Sequence, residues 1–251
     1  MRIDQGDGRA SARGRDEYAA HADRLAAGSP WSRGFETLLG SLAIAGSQRP
    51  LRSILVTSAA PGEGKTVVAA NLAIALARTG RRVLLVDADL HRPRLHRVFG
   101  CEPGPGFADL LFGRAEPATC TRRIEIPAPC EAPPAALAFT PSGTDPRASI
   151  ASVEPGRLAK VLESFTAAYD AVLLDTPPVL ALSDALLLAP HVDGVLLVVA
   201  SGGREREAQR AKLRIEAAGG HIVGVVMNAV DDAEGPNGYH PHAGSYAVGT
   251  R

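Results

Sequence analysis

The chain has 251 residues, 45% apolar and 22% charged, with 27 basic against 27 acidic side chains. That composition excludes a disordered chain and argues against a dedicated nucleic-acid binder, which needs a surplus of Lys and Arg. No stretch nears the roughly eighteen uninterrupted apolar residues of a membrane span, and no apolar secretory segment opens the chain.

Residues 1–30 are polar and read as a mobile arm, with one helix over about 17–27. Trp31, Phe35, Leu38, Leu39 and Leu42 then follow at helical spacing. From Arg52 onward, short continuous apolar runs over 53–57, 83–86, 171–174, 194–199 and 222–227 predict strands covered on both faces of a parallel sheet. Between the first two runs lies a helix over 66–78, stopped by Gly80. Between the last two lies another over 204–218, stopped by Gly219 and Gly220. The alternation predicts an α/β fold, a mostly parallel central sheet with helices on both faces. Residues 101–150, rich in Pro and Gly, read as an elaborated connection with a short strand over 137–140. They hold Cys101, Cys120 and Cys130, an odd set with no C-x-x-C pair, which fits a reducing cytoplasm better than a disulfide framework or a zinc site. The domain is expected over 31–232, with a flexible tail over 233–251.

The strongest local signal is Thr57-Ser-Ala-Ala-Pro-Gly-Glu-Gly-Lys-Thr66, set between a strand and a helix. Gly62 and Gly64 let the backbone turn and aim successive N–H groups into one concavity. The helix start adds its partial positive charge. Lys65 would reach the β- and γ-phosphates of a nucleotide and Thr66 would bind Mg²⁺. Ala59 stands where the usual phosphate-loop pattern has its first Gly. A lysine here is not compositional noise, since the chain has three lysines against twenty-four arginines.

A nucleoside triphosphate needs a metal, and the metal needs carboxylates. The second predicted strand ends Asp87-Ala-Asp89, two acids on one side of an extended chain, and the third ends at Asp175. All three lie at the carboxyl edge of the sheet, where ligands of open α/β sheets bind. Asp184, in Ser183-Asp184 before an apolar segment, reads as a helix N-cap.

Together these segments resemble the bacterial tyrosine autokinases of capsule and exopolysaccharide synthesis, in the deviant-Walker P-loop class that includes the Min and Par ATPases. Ser58–Thr66 matches S-x-x-P-G-E-G-K-[ST] and 87–93 is similar to D-A-D-x-R-x-P. Residues 175–179 with 183–185 resemble D-T-P-P-V…S-D-A, and 106–113 resembles G-L-x-D-x-L-x-G. The resemblance implies ATP and Mg²⁺ as cofactors, with Pro61, Gly62, Glu63, Gly64, Lys65, Thr66 and Val67 around the phosphates and Asn228 at the adenine. It implies Thr66, Asp89 and Asp175 at the metal, and Lys65, Asp87 and Asp89 in catalysis, one of the two acids orienting or deprotonating a tyrosine hydroxyl. It also implies Tyr239 and Tyr246 as acceptors, a homo-oligomer, and a membrane-bound polysaccharide co-polymerase as activator that would hold a cytoplasmic chain at the inner face of the membrane.

Three features depart from that family. Its tail usually carries a cluster of tyrosines, whereas this one has two, interleaved with His240 and His242, which are too few to make a metal site. Its E-x-x-R-x-x-R helix motif becomes Arg33, Glu36 and Leu39, which puts a ring assembly in doubt. His91 replaces the Arg of the second acidic motif. These departures keep open a switch that dimerises on nucleotide without kinase activity; Ala60, where the partition ATPases have an additional Lys, opposes it.

Overall fold

The computed structural model describes residues 30–126, 135–145 and 148–229. The expected arm helix over 17–27, Cys130, and both tail tyrosines lie outside them.

Helix α1 (Pro30–Gln48) precedes strand β1 (Ser53–Ser58), which feeds the loop into α2 (Lys65–Arg78). Strand β2 (Val83–Asp87) follows after Gly80, whose φ of 83° is the left-handed stop expected there. Short helices α3 (Leu95–Val98), α4 (Phe107–Leu111) and α5 (Pro117–Cys120) lead to β3 (Arg122–Ile126) and β4 (Ala135–Thr140). Helix α6 (Pro155–Ala168), β5 (Ala171–Asp175), α7 (Asp184–Leu188), β6 (Gly194–Ala200), α8 (Glu205–Ala217) and β7 (Ile222–Asn228) complete the order.

The strands form one seven-stranded sheet in the order β3-β4-β2-β5-β1-β6-β7. Every pairing is parallel except β3 with β4. Every residue of β1, β2 and β5 is buried, which is why these strands read as unbroken apolar runs. One core, including Leu55, Leu84, Phe107, Phe165 and Leu174, lies on one face of the sheet. The other joins α1 and α2 to the opposite face through Phe35, Leu42, Leu72, Ile74 and Phe139.

Strand β3 was not expected. Its sequence Arg-Arg-Ile-Glu-Ile alternates between covered and exposed residues, ending on the buried Ile126, as an edge strand does, so it carries no apolar run to detect. Its antiparallel partner β4 starts at Ala135, two residues before the predicted 137. Helix α6 was also missed; it packs through Leu158, Leu162 and Phe165. In the segment 106–113, Asp109 accepts the amide of Gly106 at 2.8 Å and closes the start of α4.

Candidate active site

The site begins where β1 ends. Thr57 Oγ1 donates to the carbonyl of Pro177 at 2.8 Å, and Thr176 Oγ1 to that of Val56 at 3.0 Å. These buried bonds fasten the end of β1 to the segment after β5, so the phosphate loop and Asp175 are held in one frame. Both threonines lie within the quoted motifs, but neither takes a role from sequence alone, because a strand-end hydroxyl carries no signal of its own. The loop is then braced from within: Ser58 Oγ donates to the carbonyl of Ala60 at 2.8 Å, and the Glu63 carboxylate accepts the amide of Ala60 at 2.7 Å.

Gly62 and Gly64 both have φ of 89°. Nothing lies within 4 Å of the place a Gly62 side chain would take, so the turn faces open space. Gly64 caps α2 with no side-chain hydrogen bond, which leaves the first helical amides available to an anion. A Cβ on Gly64 would collide with Asn228 Nδ2, which itself donates to the Glu63 carbonyl at 3.0 Å. Asn228 at the end of β7 thus braces the loop. Gly64→Ala is expected to cost at least about 1–2 kcal/mol from its left-handed backbone alone, with the clash added, and to abolish nucleotide binding. Thermal unfolding and calorimetric titration with ADP check both.

The three strand-end carboxylates converge on Lys65. Its Nζ lies 3.1 Å from Asp89 Oδ2, 3.6 Å from Asp175 Oδ1 and 3.2 Å from Thr66 Oγ1. The side chains of Lys65, Asp89 and Asp175 are 13%, 6% and 1% exposed. Burial alone would lower the Lys65 pKa, but Asp175 and Asp89 outweigh it and hold the ammonium above its ordinary value. Asp87 and Asp175 are register partners on adjacent strands, so their carboxylates share one buried face. Burial, with Asp175 beside it, pushes Asp87 well above the carboxylate range. Burial likewise pushes Asp175 up to about 6, against the pull of Lys65.

Asp87 and Asp89 divide their work. Asp87 Oδ2 accepts the amides of residues 94 and 95 at 3.2 and 3.0 Å, leaving Oδ1 buried without a hydrogen bond. Asp89 Oδ1 accepts the amide of Arg92 at 2.9 Å while Oδ2 faces Lys65. Asp175 Oδ1 also lacks a hydrogen bond and has only the longer 3.6 Å ion pair with Lys65. Buried carboxylate oxygens without donors are costly unless a cation completes them. With Thr66 Oγ1 beside Lys65, these atoms fit a divalent metal carried on nucleotide phosphates. No group of three metal-ligating side chains forms among the described residues, and Mg²⁺ commonly takes one or two carboxylates plus phosphate oxygens instead.

Asp184 does not cap its helix. Ser183 occupies the cap position without a side-chain bond, and Asp184 is the first residue of α7. Its carboxylate turns inward to His91 Nε2 at 2.9 Å, and burial raises its pKa while His91 offsets part of that rise. The histidine that departs from the family pattern therefore ties the second acidic motif to the third. A cleft of about 350 Å³ lies at the other end of the sheet, lined in part by Arg52, Ser53 and Asp193. There Asp193 is already satisfied by the amides of Arg52 and Ser53 at 2.9 and 2.8 Å, so the phosphate-loop edge is where unsatisfied polar atoms collect.

Residues 54–242 match the CobQ/CobB/MinD/ParA nucleotide binding domain. The chain is 35% identical over 203 residues to the tyrosine-protein kinase YwqD of Bacillus subtilis, covering 78% of this chain and 80% of that one. It belongs to the bacterial tyrosine-kinase family. Another member of this family, the tyrosine-protein kinase Wzc of Salmonella typhimurium, is 30% identical over 210 residues; the match covers 82% of this chain but 28% of Wzc. The BceF tyrosine kinase domain superposes with a TM-score of 0.67 at 30% identity, over 86% of this chain and 89% of that one. The septum site-determining protein MinD of Pyrococcus horikoshii, complexed with Mg-ADP, superposes at 0.58 with 26% identity, over 70% and 69%. No described helix is long and apolar enough to cross a membrane.

Proposed function

We propose that this chain is an ATP-dependent protein-tyrosine autokinase acting in capsular or exopolysaccharide polymerisation or export, and that it transfers the γ-phosphate of ATP to Tyr239 or Tyr246. The observation that carries this reading is the buried Lys65 ammonium between Asp89 and Asp175 at the head of the phosphate loop. The relatives named as tyrosine kinases favour transfer to a tyrosine over a nucleotide-driven switch.

In this reading the amides from Gly62 to Val67 and the Lys65 ammonium cradle the phosphates, and Asn228 borders the adenine. Thr66, Asp89 and Asp175 would hold Mg²⁺, which when bound with the nucleotide would supply neutralisation of the phosphate charge. Lys65 leaves its carboxylate partners for the phosphates, so the pocket exchanges one set of charge pairs for another. The incoming tyrosine oxygen forms its bond to the γ-phosphorus as the bond to the ADP oxygen breaks, and its proton passes to a carboxylate. We assign that proton to Asp87, whose Oδ1 has no hydrogen bond. Such chemistry asks mainly for positioning and charge neutralisation, which this edge of the sheet supplies.

A membrane-bound polysaccharide co-polymerase is proposed as activator, placing the chain at the inner membrane face, and a homo-oligomer is proposed as the working form. Arg33 and Glu36 are exposed on α1 and accessible for such an assembly. Incubation with ATP, Mg²⁺ and the activator, followed by mass spectrometry, should find phosphate on Tyr239 or Tyr246. Steady ATP hydrolysis with both tyrosines unmodified would refute the assignment.

A further inference from the structure

Beside the acidic motif, the chain from residue 92 to 97 presents arginines that the site above does not use. Arg92, Arg94 and Arg97 are exposed, and none of their guanidinium groups pairs with a carboxylate among the described residues. The amide of Arg97 donates to the carbonyl of Arg94 at 3.0 Å, so these two side chains stand one turn apart on the same side. Asp87 and Asp89 accept backbone amides of this segment, and on His96, between the two arginines, burial and Arg97 lower the pKa against the pull of Glu102. This basic surface borders the reaction edge directly, because the amides of residues 94 and 95 are the donors to Asp87.

The sequence contains a complementary segment. Asp231, Asp232 and Glu234 follow β7, and Tyr239 comes five residues after Glu234. Residues 240–251, which hold Tyr246, contain no acid at all. We propose that Arg92, Arg94 and Arg97 are the acceptor-docking surface, that they bind the acidic segment 231–234 of a second copy of this chain, and that they thereby direct phosphoryl transfer to Tyr239 over Tyr246. This deepens the kinase reading and rests on it for the transfer step.

The geometry favours a second copy over the chain's own tail. Strand β7 stands four places from β2 in the sheet, a separation of about 19 Å. Asp231 lies three residues past Asn228, and three extended residues reach about 10 Å. Within one chain, Glu234 arrives only with the intervening residues fully taut. From a neighbouring copy no such limit applies, and the five residues from Glu234 to Tyr239 span up to about 17 Å. Opposite charges also speed the encounter of the two copies.

The test separates docking from transfer. In the first arm, a fluorescent peptide of residues 229–243 is titrated into the full chain at low and high salt. Binding that weakens with salt, and about tenfold or more in Arg94→Glu/Arg97→Glu, is expected. In the second arm, the donor is a full-length Tyr239→Phe/Tyr246→Phe variant and the acceptor a full-length Lys65→Met variant, with site-resolved mass spectrometry. The double arginine variant in the donor should raise the acceptor KM about tenfold for Tyr239 with little change in kcat. An acceptor carrying Asp231→Lys, Asp232→Lys and Glu234→Lys should fail with the wild-type arginines and recover with the reversed ones. That tail variant leaves the arginine surface untouched, so a folding defect at 94–97 cannot imitate the result. Equal loss at Tyr239 and Tyr246, no rescue by the charge swap, or binding of anionic vesicles in place of the peptide overturns the docking surface while leaving the kinase reading intact. Arginine-dependent peptide binding without transfer to either tyrosine does the reverse.

Discussion

Lys65→Met is expected to lower phosphoryl transfer about 10³-fold and, unlike most loop substitutions, to destabilise the nucleotide-free protein as well. The reason lies in what the ammonium does before ATP arrives. It stands 3.1 Å from Asp89 and 3.6 Å from Asp175, with Asp87 close enough to act on it. Methionine fills the volume but leaves these carboxylates buried without their cation, and breaking a buried pair from one side costs about 3–5 kcal/mol. The carboxylates escape by taking up protons. The loss should therefore be largest near pH 8 and shrink as the pH falls towards 5. Chemical denaturation of wild type and variant across that range measures it; a stability difference independent of pH would show that Lys65 does not neutralise these acids.

Asp175→Asn should separate stability from activity. Burial holds the Asp175 carboxyl at about 6, above its unfolded value, so the folded state binds the proton more tightly. A raised carboxyl contributes stability that is fully present below the unfolded value and is lost as the pH rises through about 6. At neutral pH the ionised group sits buried beside Asp87, and Lys65, 3.6 Å from Oδ1, offsets only part of that burial. The amide removes that charge, so the variant should unfold at an equal or higher temperature than wild type at pH 7.5. Metal-nucleotide binding runs in the opposite direction, because the ligand needs the carboxylate. Affinity for Mg-ADP in the wild type should climb between pH 5 and 7 and then level off, whereas the variant should bind weakly throughout and transfer phosphate about 100-fold more slowly. Calorimetric titration at several pH values reads the slope. A wild-type affinity flat over that interval would remove Asp175 from the metal site.

Both expectations follow from one structural choice: the site stores its acids against a lysine instead of leaving them open to water. In the proposed reading, nucleotide phosphate competes with these acids for Lys65. The inward pair of His91 with Asp184 adds a link from the chain after β2 to α7, so two of the acidic motifs are mechanically joined.

How much of this was legible beforehand depends on the kind of signal each residue carries. The central strands announced themselves because burial on both faces demands unbroken apolar runs, and the helix stops were marked by Gly80 and by Gly219, with φ of 83° and 84°. The phosphate loop was visible because its chemistry is local, with glycines, lysine and threonine consecutive in the chain. Strand β3 was hidden because an edge strand alternates charge with isoleucine and needs its partner β4 to be recognised. The pairing of Asp184 with His91 was invisible because the partners lie on separate connections, and only the packing of α7 against the sheet decides which way the acid turns. The order of residues along the chain thus determined which groups are chemically capable, since propensity and spacing act over a few residues. Tertiary structure alone decided which of them meet, because a charge acts on whatever stands within a few ångströms of it regardless of its distance along the chain.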